Sequence, residues 1–165
     1  MNENGQMTKQ VKVSYTREIG KSKQRLFADA FKRVDRAISS GFHLEAIVIL
    51  ESLICDRLET SISVKTQISI EPGTLASLNS KCKKLEILPQ DLYDQVDTWR
   101  MQRNLVMHQM VKITSAEDAD WRARMSFARQ VARDGKQLLN KVQKNLYKVK
   151  RENEKSKIVN GKTTK

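Results

Sequence analysis

The chain has 165 residues, of which 39% are hydrophobic and 30% are charged, so it can form one domain of ordinary size but not two. Two prolines and six glycines leave few obligatory breaks, which favours long helices and argues against a sandwich or barrel with many turns. The formal charge of +12, from 31 Lys and Arg against 19 Asp and Glu, attracts polyanions such as nucleic acids, although a soluble protein with a basic tail would carry it too.

Two cysteines, Cys55 and Cys82, stand far apart in the sequence and form no Cys-x-x-Cys motif. Together with His43 and His108 they lack the ligand spacing of a zinc site, so we expect reduced thiols, no metal and no cofactor. The first residues contain no apolar segment of the kind that forms a signal peptide, and no apolar run approaches membrane-spanning length. These features predict a cytoplasmic protein with no membrane partner.

Residues 1–20 are polar and mixed in charge, and we interpret them as a flexible N-terminal arm. From Lys21 onward, apolar residues recur at steps of four and three and predict a first helix, which Gly41 ends. A second helix over about 42–61 is apolar on most of its circumference, as expected in the middle of a bundle. Glu51 within it either reaches water at a boundary position or pairs with a buried arginine.

A third, short helix is predicted from the capping residue Thr74 through Leu85, after a connection that includes a short extended piece at 67–70. A fourth helix begins near Pro89, because proline is favoured in a first helical turn. An unpaired buried guanidinium would destabilise the fold, so Arg103 on the apolar seam of this helix requires a partner. The seam steps by four and three residues through Leu92, Val96, Trp99, Arg103, Val106 and Met110.

The last helix is predicted to start at a capping signal over 114–118 and to hold a four–three apolar alternation from Trp121 to Val149. At 1.5 Å per residue it spans roughly 45 to 50 Å, so its far end projects or pairs with a second copy. Small residues in its middle, among them Gly135, permit another helix to approach closely. We therefore predict a helical domain over 21–150 and a disordered basic tail over 151–165. The nine basic residues of 141–165 form either a solvated terminus or an RNA-attracting arm.

The fourth helix also carries Arg103, Asn104 and His108, which fall at about 0°, 100° and 140° around an ideal helix. Arginine can grip a phosphate and stabilise the added charge of a transition state. Histidine can take a proton from a ribose 2′-hydroxyl or give one to the leaving oxygen, and asparagine can position either partner. Because RNA supplies its own nucleophile, this set suits cleavage without a metal, with a 2′,3′-cyclic phosphate as product.

The segment Arg103-Asn-Leu-Val-Met-His108 resembles the motif of the HEPN superfamily, in which His follows Arg by four to six positions and Asn commonly follows the Arg. The order of the sequence segments around this motif is similar to that of prokaryotic members related to the mannitol operon repressor. It consists of Gly73-Thr-Leu-Ala-Ser-Leu78, then Leu85-Glu-Ile-Leu88, then Trp99-Arg-x-x-Arg-Asn. The resemblance covers about residues 25 to 145.

This resemblance implies an all-α, HEPN-like bundle of four to five helices with a long C-terminal helix. It implies that Arg103 and His108 are the active pair and that Asn104 supports them. HEPN sites are typically shared by two subunits, which implies a homodimer, and Glu51 becomes a plausible partner of Arg103 from the second helix. Met110 stands where the antitoxin-paired branch carries Tyr, which puts pairing with a nucleotidyltransferase antitoxin in doubt, while another protein partner stays open.

Two functions are compatible with these residues. One is a metal-independent endoribonuclease that serves as a toxin or a phage-defence factor. The alternative is a non-catalytic regulator or interaction module that binds nucleic acid or a protein. A third interpretation treats Arg103 and His108 as purely structural. In the first two, we expect contacts with RNA at Arg100, Lys148, Lys150 and Arg151.

Overall fold

A computed structural model describes residues 17–110, residue 112 and residues 120–162. Across these ranges the chain is helical, with no strand, so the predicted all-α fold of four to five helices with a long last helix is confirmed. None of the helices within them is both long enough and apolar enough to cross a membrane. The five helices are α1 (Arg17–Ser39), α2 (His43–Thr66), α3 (Leu75–Lys84), α4 (Gln90–Gln109) and α5 (Trp121–Lys162).

The helices differ in extent from the sequence-based boundaries. Helix α1 begins at Arg17 rather than Lys21, α2 ends at Thr66 rather than near position 61, and α5 continues to Lys162. The segment 67–70 is irregular rather than extended in a strand. The capping signal at 114–118 and residues 1–16 of the arm lie outside the described residues, so the division into arm, domain and tail stays a prediction.

Helix α2 is the centre of the bundle, because α1, α3 and α5 all pack against it. A helix that is covered on most sides must be apolar on most sides, which is the pattern that predicted this position. Its contacts with α5 form the largest helix–helix interface of the fold. The buried apolar residues of α2 are Ala46, Ile47, Leu50, Leu53, Ile54, Leu58 and Ile62.

Side-chain amides attach the second half of α5 to the rest of the bundle. Asn145 Nδ2 donates to the carbonyl oxygen of Ile87 at 2.9 Å, and Asn153 Nδ2 donates to that of Val64 at 3.0 Å. Val149 between them is buried. Helix α5 is therefore packed against its neighbours as far as Asn153.

Trp99 holds α4 against α5. Its indole Nε1 donates to the carbonyl oxygen of Val131 at 2.9 Å, and the ring is buried. The ring lies directly over Gly135, where an added Cβ would come within 2.7 Å of three indole atoms. Ala128 and Ala132 on the same side of α5 are also buried. The small residues in the middle of α5 thus allow Trp99 of α4 to pack closely against that helix.

Replacement of Gly135 by alanine should destabilise the protein by about 1–2 kcal/mol in urea unfolding, since overpacking against Trp99 outweighs the gain in helix propensity. Gly20→Ala is the matched control. Gly20 is also helical, and a Cβ there would meet nothing within 4 Å, so that variant should be stabilised by up to about 1 kcal/mol. Equal stabilisation by both substitutions would contradict the close packing at Gly135.

His43 is buried at the start of α2, with 8% of its surface exposed. Its Nδ1 has no hydrogen-bond partner among the described residues. Burial lowers the pKa of the imidazole, and the positive charges of Arg129 and Arg133 on α5 lower it further. The folded state therefore favours the neutral imidazole.

A histidine that is held neutral in the folded state binds fewer protons than it does in the unfolded chain. The free energy of unfolding should therefore fall as the pH drops below about 6.5, by at most about 1.4 kcal/mol per pH unit. Urea unfolding of the wild type and of His43→Gln between pH 7.5 and 5.5 measures this. The variant should lose part of the pH dependence, and two parallel curves would show that His43 contributes nothing to it.

Candidate functional site

An open groove of about 520 Å³ lies between α2, the start of α3 and α4. Helix α4 contributes Arg100, Arg103 and Asn104, three of the residues singled out from the sequence. Glu51 of α2 lies opposite them. The remaining lining residues are Val48, Ser52, Cys55, Gly73, Thr74, Leu75 and Ala76.

Arg103 and Glu51 form an ion pair across the groove, in which Arg103 Nη2 contacts Glu51 Oε1. Arg103 Nη1 also donates to Asn104 Oδ1 at 2.6 Å. The two side chains of the pair are 18% and 26% exposed, and burial lowers the pKa of the guanidinium from its ordinary value. The ion pair explains how an arginine can stand on the apolar seam of α4, because the carboxylate compensates its partly buried charge.

The guanidinium of Arg103 has donors left over. It carries five N–H groups, whereas Glu51 and Asn104 each contact one terminal nitrogen. Its Nε is buried and has no partner among the described residues. A phosphate entering the groove could take the free hydrogens of the terminal nitrogens, but it would have to share the cation with the Glu51 carboxylate.

Arg100 is also paired with a carboxylate. Its Nε and Nη2 both contact Asp97 Oδ1 at 2.8 Å, one helical turn earlier on α4. Each arginine of the groove is therefore accompanied by an acid. The groove of a single copy is consequently close to neutral and differs from the strongly cationic clefts that bind phosphates by charge alone.

His108 does not line the groove. It is exposed in the last turn of α4. It shares one side of the helix with Asn104 and with the exposed apolar residues Met101 and Leu105, because these positions are spaced by three or four residues. Met101 is 52% exposed and Leu105 is 44% exposed. The structure thus brings Arg103, Asn104, Glu51 and Arg100 together and leaves His108 on an adjoining surface, in agreement with the angular offset of Arg103 and His108.

The basic residues predicted near the C-terminus lie on α5 and do not line the groove. Lys148 and Arg151 are exposed, whereas Lys150 is half-buried. Lys148 borders a second, smaller cavity of about 370 Å³ and lies 4.0 Å from Glu152. These residues therefore form a surface separate from Arg100, and Lys150 does not share the exposure of its two neighbours.

Apart from Glu51, the residues of α2 and α3 that line the groove were not predicted from the sequence. Val48, Ser52 and Cys55 are spaced by four and three residues, a signal for one helix face, but no sequence feature shows which helix that face meets. Cys55 is not suited to act as a nucleophile, because burial and the nearby Glu59 raise the pKa of its thiol to about 11. Thr74 accepts a hydrogen bond from the Ser77 N–H at 3.2 Å, as expected for the predicted cap of α3.

No protein-family model, curated protein or solved structure matches this chain. Within the part of the chain that the structure describes, no three or more His, Cys, Asp or Glu side chains are grouped so that they could hold a metal ion.

Removal of the Glu51 charge tests the ion pair. Glu51→Gln should lower the free energy of unfolding by about 1–3 kcal/mol, since it leaves a partly buried guanidinium without its anion. In the Arg103→Gln background, the same substitution should cost much less, and the difference gives the coupling energy of the pair.

The matched control for that cycle is Glu45→Gln, also on α2. Glu45 pairs with Arg33, but the side chains of this pair are 36% and 57% exposed, so solvent screens their attraction. Glu45→Gln should be the milder substitution. An equal loss from Glu45→Gln and Glu51→Gln would show that the Arg103–Glu51 pair is only a surface contact.

Proposed function

We propose that the protein is a metal-independent endoribonuclease of HEPN type, whose site combines Arg103 and Asn104 of one copy with His108 of a second copy. The observation that supports this most is the arrangement on α4. Arg103 and Asn104 are hydrogen-bonded to each other at the groove, and His108 is exposed on the adjoining surface. We further propose a cytoplasmic role as a toxin or phage-defence factor.

Each residue has a chemical role in this proposal. His108 accepts the proton of a ribose 2′-hydroxyl, whose oxygen then attacks the adjacent phosphorus. Arg103 donates to the phosphate oxygens that gain charge, and Asn104 holds the guanidinium in orientation. The bond from phosphorus to the 5′-oxygen breaks, that oxygen takes a proton from water, and His108 returns the proton that it accepted to the solvent. The products are a 2′,3′-cyclic phosphate and a 5′-hydroxyl.

Exposed apolar side chains support the dimer. Met101 and Leu105 adjoin Asn104 and His108 on α4, and Val48, which is 51% exposed, lines the groove on α2. Apolar surface beside a groove is typical of a protein–protein contact. A two-fold contact at this surface would present the His108 of each copy to the groove of the other, because a two-fold interface uses the same patch on both subunits.

The second candidate is a non-catalytic module that binds RNA or a protein. The observation that favours it is the pairing of both groove arginines with acids, Arg103 with Glu51 and Arg100 with Asp97. Such a module would bind RNA and release it intact. Incubation of the protein with labelled RNA in EDTA, followed by analysis of the RNA ends, distinguishes the two functions.

Arg103→Ala and His108→Ala should each abolish cleavage, and a one-to-one mixture of the two inactive proteins should recover activity. Half of the dimers in such a mixture contain one copy of each variant, and each of these has one intact site, so we expect about a quarter of the wild-type rate. The measurement is the appearance of cyclic-phosphate ends in EDTA. Lys32→Ala removes an exposed cation on α1 and serves as the control with unchanged cleavage.

Two results would contradict the proposal. Intact RNA after incubation with the wild type would leave the binding module as the function. Cleavage that is lost in both variants and not recovered in the mixture would show that Arg103 and His108 do not act across two copies.

A further inference from the structure

The net charge of the protein is concentrated on one helix. Helix α5 contains 13 Lys and Arg against three Asp and Glu, a net charge of +10, so the rest of the chain contributes only +2 of the total of +12. Apolar side chains of α5 that face α2 and α4 are buried. The exposed cations of α5 therefore belong to the side of the helix that faces away from the bundle, whereas Arg124, Lys136 and Lys150 are half-buried.

Eight exposed cations of α5 lie on one face. At about 100° per residue they fall within an arc of about 120°, centred opposite the buried seam of Ala128, Gly135 and Val142. They extend over about 50 Å at 1.5 Å per residue. We call this surface the basic face of α5; its cations are Arg122, Arg129, Arg133, Lys141, Lys144, Lys148, Arg151 and Lys155.

The other side chains of the basic face are also suited to phosphate. The same arc holds Ser126, Gln130, Gln137 and Asn140, all exposed, and each of these has a hydrogen-bond donor. The three acids of α5 lie about 20° beyond the edges of the arc. Of these, Asp134 accepts a hydrogen bond from Gln130 at 2.8 Å and Glu152 lies 4.0 Å from Lys148. Within the arc the basic face thus presents cations and neutral donors, and acids are confined to its edges, whereas a solvated helix face ordinarily mixes both signs of charge.

We propose that the basic face of α5 binds the phosphate backbone of RNA, as a surface separate from the groove. Nucleic-acid backbones present phosphates at short, regular intervals, so a long row of cations can contact several at once. Tyr147, which is 54% exposed, is the one aromatic residue in the arc among the described residues. Because one aromatic side chain can stack on only one base, binding depends mainly on charge and not on base sequence. A membrane partner is disfavoured, because the apolar side of α5 is buried in the bundle.

The choice of RNA over another polyanion rests on the proposed endoribonuclease function. The basic face deepens that function by assigning substrate capture to a helix that contributes nothing to the lining of the groove. The two surfaces can therefore be tested separately. Loss of the basic face should weaken RNA binding and raise KM, whereas loss of His108 should remove the chemical step and leave binding intact.

The experiment measures binding in a background that cannot cleave. Four substitutions, Lys144→Gln, Lys148→Gln, Arg151→Gln and Lys155→Gln, are introduced into the His108→Ala protein. The control carries four glutamines on exposed positions of α1, which lowers the net charge by the same amount. The control substitutions are Lys21→Gln, Arg25→Gln, Lys32→Gln and Arg36→Gln.

Labelled 20-nucleotide RNA, single-stranded and duplex, is titrated with each protein in EDTA at several KCl concentrations, and circular dichroism confirms that the helices are retained. We expect the α5 variant to bind at least about tenfold more weakly than its parent, and the slope of log K against log salt to fall by about 3. The α1 control should lose less than about threefold. A difference between single-stranded and duplex RNA identifies which backbone geometry the basic face prefers.

Equal weakening by the α5 and α1 variants would overturn the inference, because it would show that overall charge and not the basic face attracts RNA. So would the absence of RNA binding together with sedimentation of the protein on phosphatidylserine vesicles. Failure of the endoribonuclease proposal gives a different result, namely RNA that is bound through the basic face but recovered uncut from the protein with His108 intact.

Discussion

The contact between the Trp99 ring and the backbone of Gly135, which has no side chain, fixes the rotation of α4 about its own axis. With the indole buried over α5 and Val106 buried two turns later, the seam of α4 must face the bundle, and Arg103 between them is carried to the boundary with α2. Asn104 then lines the groove beside Arg103, and His108 is turned outward by the helical repeat. One tight contact between a large and a small side chain thus determines where the chemistry-bearing residues stand.

Local signals in the sequence predicted the parts of the fold that depend on local physics. The cap at Thr74, the apolar circumference of α2 and the seam of α4 each follow from short-range spacing. The location of Arg103 on that seam also predicted the need for an acid, and Glu51 meets it. The groove itself could not be predicted, since it depends on how α3 is set between α2 and α4. The basic residues of 141–165 were interpreted as a terminus or an arm. The spacing of the α5 cations along the sequence nevertheless already places them on one face of a helix.

Glu51 has two opposed effects at the groove. Its carboxylate makes a partly buried arginine tolerable, but it also occupies the cation that an anionic ligand would contact. Any phosphate bound there must share or replace that carboxylate, so stability and anion affinity are linked through a single side chain. A groove of this kind holds its arginine in a defined orientation in the absence of ligand, which is a form of preorganisation.

The uneven distribution of charge also affects how two copies can meet. With a net charge of +10 on α5 and +2 on the remainder, the molecule has a large electric moment and would turn α5 toward any polyanion before touching it. For the same reason, two copies repel each other when their α5 helices lie side by side. The proposed dimer would therefore form through the surface near the groove, where the apolar residues of α4 and α2 are exposed, and a polyanion and a second copy would not compete for the same surface.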